Sequence, residues 1–149
     1  YYGAADADRI IITMGSLTEA AEETVDYLNA RGEKVGLLRV HLYRPFSLKY
    51  FFKYMPETVK KVAVLDRTKE MGALCEPLFL DVQSAFAAQR PGVCIIGGRA
   101  GVGGKDTTPS HILAVFENLK KDIEQSRKEK KEGKAASVDP KKLWQSIGL

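Results

Sequence analysis

The stretch GGRAGVGGKDTTPSH, residues 97–111, collects the residue types that cradle phosphates: glycines at 98, 101, 103 and 104, then Lys105, two threonines and a proline. Such a loop works by turning free backbone amides toward an anion, with a cation close by and, for a magnesium nucleotide, a hydroxyl at a fixed offset. Spacing rejects both nucleotide motifs. In a Walker A loop the first glycine would fall at Arg99, and the hydroxyl position after the lysine is Asp106. The dinucleotide fingerprint that begins Gly101-x-Gly103 needs its third glycine at 106, again an aspartate. What survives is a strand, an amide-rich loop and a helix start at Thr108, the generic setting for an anion. Gly101, Gly103, Gly104, Lys105, Asp106, Thr107 and Thr108 are therefore the candidate set, open to two readings. They bind an anion, or the glycines serve positive φ and close backbone approach while Lys105 and Asp106 make local contacts.

Other reactive constellations are missing from the sequence. His41 and His111 are far apart, no G-x-S-x-G elbow occurs, and no G-D-G run with a downstream asparagine pair is present. His41 reads as a satisfied residue near a strand end. Arg44, Asp66, Arg67 and Glu70 fall where strands end, the place where α/β sheets gather ligands. Cys75 and Cys94 have no C-x-x-C spacing, so this chain cannot assemble a zinc or iron–sulfur site from them. Both are expected to be core-facing thiols in a reducing compartment.

Charge narrows the partners. The net charge is +4, yet residues 1–119 hold 14 basic and 14 acidic side chains, and the whole excess lies in residues 120–149 with nine basic and five acidic. A mixed run of that kind is a solvated helix or linker, so a nucleic-acid partner is not expected. The longest apolar runs, of four to six residues, are too short to cross a membrane. YYGAADADRI at the start has neither a basic nor an apolar targeting region and reads like the interior of a longer chain.

The elements that must position these residues alternate. Strands are expected at 9–15, 34–43, 62–66 and 93–97; helices are expected from Ser16, capped through Glu19, over 48–54, over 74–86 with Pro77 in the first turn, and over 109–119 with Thr108 as N-cap. Alternating strands and helices imply an α/β layer fold with a mostly parallel sheet. Beyond Leu119 the apolar period fades; 133–137 reads as a flexible break and DPKKLWQSIGL as a short terminal helix. The division is thus a domain over 1–119 and a charged helical tail or linker over 120–149.

Four stretches in order, YYGAADADRIIITMGS with the E-x-x-x-x-V-D-Y-L helix after it, GLLRVHLYRPFS, VAVLDRTKEMGALCEPLFLDV and GGRAGVGGKDTTPSHILAVFENL, resemble the second domain of pyruvate:ferredoxin (flavodoxin) oxidoreductases. That domain is similar to the C-terminal domain of transketolase, and the resemblance implies a three-layer α/β sandwich. The loop departs from the family pattern, which usually has an aromatic near Ala100 and often a serine at Gly104. The family's enzymes oxidatively decarboxylate pyruvate to acetyl-CoA, using thiamine diphosphate, magnesium, [4Fe-4S] clusters and coenzyme A, and pass electrons to ferredoxin or flavodoxin. The resemblance places those groups on other domains of a homo-oligomeric enzyme in the cytoplasm or, in a eukaryote, an energy organelle. It implies that this chain alone binds no cofactor and is inactive, its glycine loop facing a neighbouring domain. The competing reading is a free-standing interaction module of the same fold, contacting a partner or an anion through the glycine loop or the basic tail.

Overall fold

Three consecutive isoleucines, Ile10, Ile11 and Ile12, are each fully buried in a strand, which requires that strand to be covered on both faces. They lie in the second of six strands among the described residues. The computed structural model describes residues 1–131 and 144–146. In chain order the elements are β1 (Tyr2–Gly3), β2 (Arg9–Thr13), α1 (Leu17–Asn29), β3 (Val35–Arg39), α2 (Leu48–Phe52), β4 (Lys61–Asp66), α3 (Pro77–Gln89), β5 (Cys94–Arg99), α4 (Pro109–Lys131) and β6 (Trp144–Ser146), with a 3-10 turn at Val102–Gly104 before α4. The strands form one sheet in the order β1-β3-β2-β4-β5-β6. Only β1 runs antiparallel, to β3; the other pairs are parallel.

Strand alternation divides the core into two layers. Ile10 and Ile12 of β2 and Val62 and Val64 of β4 point to the side covered by α2 and α3, where they meet Phe51, Phe79, Val82 and Phe86. Ile11, Ala63 and Leu65 point to the other side and meet Val25, Ile112, Phe116 and Leu119 of α1 and α4. Helix, sheet and helix make the three-layer sandwich, with a mostly parallel sheet as the sequence implies. The short α2 holds its place through aromatic contacts, Phe51 and Phe52 both meeting Phe86 edge-on, with centroids 6.0 and 5.1 Å apart.

Several boundaries differ from the sequence reading. The strand expected over 34–43 ends at Arg39, after which the Val40 amide makes a last bond to the Thr13 carbonyl. Helix α3 starts at Pro77, leaving Leu74 outside with 93% of its surface exposed while Leu78, Val82 and Phe86 are buried. Helix α4 runs on past Leu119 to Lys131, because nothing between 119 and 131 is a glycine or proline and the residues are mostly good helix formers. Where a terminal helix is expected, the described residues Trp144–Ser146 instead form a strand that pairs parallel with Gly97, Gly98 and Arg99, covering the backbone edge that β5 would otherwise expose; the rest of that stretch lies outside the described residues. The break expected over 133–137 lies outside the described residues. Cys75 and Cys94 are both only partly buried, and Cys75 faces the core, packing against the cluster under α2 and α3.

Candidate functional site

Because β2, β3, β4 and β5 run parallel, the loops that follow them emerge at one edge of the sheet. Arg67, one residue beyond β4, ties three of these segments together. Its Nε donates to the Gly101 carbonyl at 3.1 Å and its guanidinium to Ser16 Oγ at 2.6 Å. Ser16 Oγ accepts from Arg67, and the capping bond expected from it is not made, because the Ser16 backbone is helical, φ −64° and ψ −17°, and not extended as a cap requires. Beneath Arg67 the Ala100 amide bonds the Asp66 carbonyl, and Thr13 Oγ1 donates to the Leu65 carbonyl at 2.8 Å. Sequence-predicted Arg67 and Gly101 do meet, therefore, but as a cross-sheet staple.

Asp66, the strand-end carboxylate, is turned inward and almost fully buried. Its two oxygens accept the amides of Leu78 and Phe79 at 3.0 and 3.1 Å, so it caps the first turn of α3 from twelve residues upstream. Burial pushes the Asp66 carboxyl above its usual range, while the two amides pull the other way. The residue next to Pro77, Glu76, is also buried and is spent on other work: its carboxylate pairs with Arg99 Nε at 2.8 Å and accepts the Glu70 amide. Glu76 and Arg99 escaped the sequence reading. An acid immediately before a helix-opening proline was the available signal for Glu76. For Arg99 none existed, since its partner lies on another element.

The glycine loop resolves into distinct jobs. Gly97 is inside β5, and a Cβ there would come within 2.8 Å of the Phe79 ring. Gly101, Gly103 and Gly104 all adopt left-handed backbone, at φ 68°, 70° and 76°. The side chains of Lys105 and Asp106 are exposed and make no ion pair or hydrogen bond among the described residues, so the expected local contacts are not formed. Thr107 Oγ1 is buried against Gly101 without a hydrogen-bond partner among the described residues. Thr108 opens α4, and the Nδ1 of His111 accepts the Thr108 amide at 3.1 Å. His111 therefore acts as a capping acceptor at the helix start. His41 is exposed just past β3.

Arg44 is not brought into this group. It reaches across to α3, pairing with Asp81 at 2.8 Å, with its guanidinium 4.0 Å over the Tyr43 ring. The Tyr43 hydroxyl donates to the same carboxylate, and burial followed by that bond pushes the phenol up to about 12.

Comparison with known proteins identifies the module. Residues 7–112 match the family "Pyruvate:ferredoxin oxidoreductase core domain II". The chain belongs to that family. It is 66% identical over 119 residues to a pyruvate-flavodoxin oxidoreductase of Enterobacter agglomerans and 54% identical over 119 residues to the pyruvate:ferredoxin oxidoreductase of Moorella thermoacetica, each time over 80% of this chain. The chain spans only about 10% of the length of these relatives. A solved 2-oxoglutarate:ferredoxin oxidoreductase from Magnetococcus marinus shares the fold, with a TM-score of 0.54 and 24% identity over 80% of this chain and 18% of that one. In this domain II the carboxyl edge is a network of structural bonds, and the groups of the implied enzyme do not fit it. Asp66 and Glu76, the buried carboxylates of this edge, are both engaged in holding helix and loop and not turned toward a magnesium diphosphate, and two cysteines cannot supply the four thiolates of a cubane cluster. No group of three histidine, cysteine or acidic side chains among the described residues could hold a metal.

Proposed function

We propose that this chain serves as the structural domain II of a pyruvate:ferredoxin (flavodoxin) oxidoreductase and does not itself catalyse. The enzyme it serves decarboxylates pyruvate oxidatively to acetyl-CoA and passes the electrons to ferredoxin or flavodoxin, with thiamine diphosphate, magnesium, [4Fe-4S] clusters and coenzyme A held by other domains. The observation that carries this reading is the family match over residues 7–112, together with a carboxyl edge whose strand-end carboxylates are consumed in holding loops and helices. Residues 1–119 act as the core of the domain, to which the continuation of α4 to Lys131 and the strand Trp144–Ser146 are added. The loop of Gly101, Gly103, Gly104, Lys105, Asp106, Thr107 and Thr108 faces the rest of the enzyme, a cytoplasmic homo-oligomer. Exposed, unpaired Lys105 and Asp106 suit a contact surface.

The test has two arms. The purified 149-residue chain with pyruvate, thiamine diphosphate, magnesium and coenzyme A should reduce no viologen dye; thiamine-dependent reduction by the chain alone overturns the non-catalytic assignment. Placed in the Enterobacter agglomerans relative in exchange for the matched segment, it should sustain pyruvate-dependent dye reduction, and a well-folded but inactive chimera counts against the assignment to this enzyme.

A further inference from the structure

We infer that the β4–α3 loop, residues 67–76, is a docking loop whose apolar tip, Met71 and Leu74, seats in an apolar recess on another domain of the same oxidoreductase polypeptide. The inference rests on the domain II assignment and names the surface through which that domain is held. Met71 is 80% and Leu74 93% exposed, the two most exposed large apolar side chains among the described residues. Leu42 and Val102, the next most exposed aliphatic side chains, follow β3 and β5. All four therefore project from loops at the carboxyl edge. The opposite edge is finished differently, with Lys34 paired to Asp6 and Arg9 to Asp8 and Glu33, a polar closure that suits water. Tyr50 and Tyr54, on and just after α2, are exposed too but carry a polar hydroxyl; it is the gathering of the most exposed aliphatic side chains at a single edge that marks a contact surface.

The loop is also held for the task at its base. Asp66 enters it with its carboxylate locked onto the Leu78 and Phe79 amides, and Arg67 is stapled to Gly101 and Ser16. At the far end Glu76 grips the Glu70 amide and Arg99. Between these clamps Met71, Gly72, Ala73 and Leu74 are all exposed, while Cys75 packs against the core. A loop with a fixed base and an apolar tip loses little conformational freedom on docking, so its contact area is converted efficiently into affinity. The matched relatives carry roughly ten times more chain than this module, so the occupant is a covalently joined domain, which meets the tip at high effective concentration.

The experiment compares hydrogen exchange at the amides of Met71, Gly72, Ala73 and Leu74 in the 149-residue chain and in the Enterobacter agglomerans chimera. Exchange should be at least tenfold slower in the chimera, and the protection should be lost in Met71→Ser/Leu74→Ser. The same double substitution should leave the melting temperature of the 149-residue chain unchanged, because neither side chain is packed there. Equal exchange in the two proteins overturns the inference, as does protection in the 149-residue chain that grows with its concentration, which would make a second copy the occupant. Dye reduction by the chimera reports separately: an active chimera with an unprotected loop removes the docking loop and keeps the domain assignment, and a protected loop in an inactive chimera does the reverse.

Discussion

The Phe79 ring lies against the backbone of Gly97, so near that a methyl group on that glycine would come within 2.8 Å of a ring carbon. This contact brings α3 down onto β5. Gly97→Ala must either push the helix outward or rotate a fully buried phenylalanine, and we expect a loss of about 1–3 kcal/mol, the usual cost of overpacking a core. Urea unfolding of the 149-residue chain measures it. A change within error of zero would show that the ring yields freely.

Asp66 supports the same helix from below. Asn can present only one oxygen, so one of the Leu78 and Phe79 amides would face an NH2 group. Against that, Asn removes the burial of a charge, which already pushes the Asp66 carboxyl up. The unmet buried amide dominates, and Asp66→Asn should cost about 1–3 kcal/mol in urea unfolding at pH 7. Asp66→Ala, which leaves both amides without an acceptor, should cost more. The reverse ranking would mean that desolvation of the carboxylate outweighs its bonds.

What could be read from residue order was whatever depends on near neighbours. The isoleucine triplet of β2, Pro109 at the head of α4 and the alternation of strands and helices all declare themselves within a few positions, and the structure follows them. The misreadings share a cause: the deciding partner is remote in sequence. Leu74 fits the apolar stripe of α3, yet the helix begins where a carboxylate from β4 caps it, three residues later. Ser16 and Glu19 have capping-box spacing, but the Ser16 backbone is helical, which no side-chain spacing reveals, and its hydroxyl accepts from Arg67, 51 positions away. Trp144–Ser146 looked helical by local pattern, and the open side of β5 offered a strand partner instead. The glycine loop was recognisable as a special segment; that its glycines serve ring packing and backbone turns became evident only with Phe79 and Arg67 in place.

Glu33 makes stability depend on pH. Its carboxylate accepts from Lys120 of α4 and from the buried Arg9 of β2, and these bonds hold it below the ordinary glutamate value of 4.5. A carboxyl lowered by folding stabilises fully above its unfolded value and loses that contribution as pH falls through its folded one. Lys120 is about half exposed and counts for little in salt, while Arg9 is buried, so Glu33→Gln should cost about 1–2 kcal/mol at pH 7. The gap between variant and original chain should close as pH is lowered from 5 toward 3. A gap that stays constant across that range would mean the loss comes from packing and not from the charge.

Gly101 and Gly103 share nearly the same left-handed backbone, φ 68° and 70°, but differ in surroundings. A Cβ at Gly103 would stand in open space, whereas one at Gly101 would lie 3.1 Å from Arg67 Nε and 3.2 Å from both the Lys105 carbonyl and Thr107 Oγ1. Alanine at either position pays the left-handed penalty of about 1–2 kcal/mol. Gly101→Ala must in addition displace the Arg67 staple, so it should be the more destabilising by about another 1 kcal/mol. It should also raise hydrogen exchange at the Ala100 amide, which is bonded to the Asp66 carbonyl beneath the staple. Gly103→Ala should leave that amide as protected as before. Equal losses from the two substitutions would mean that backbone conformation alone, and not the seat under Arg67, requires glycine in this loop.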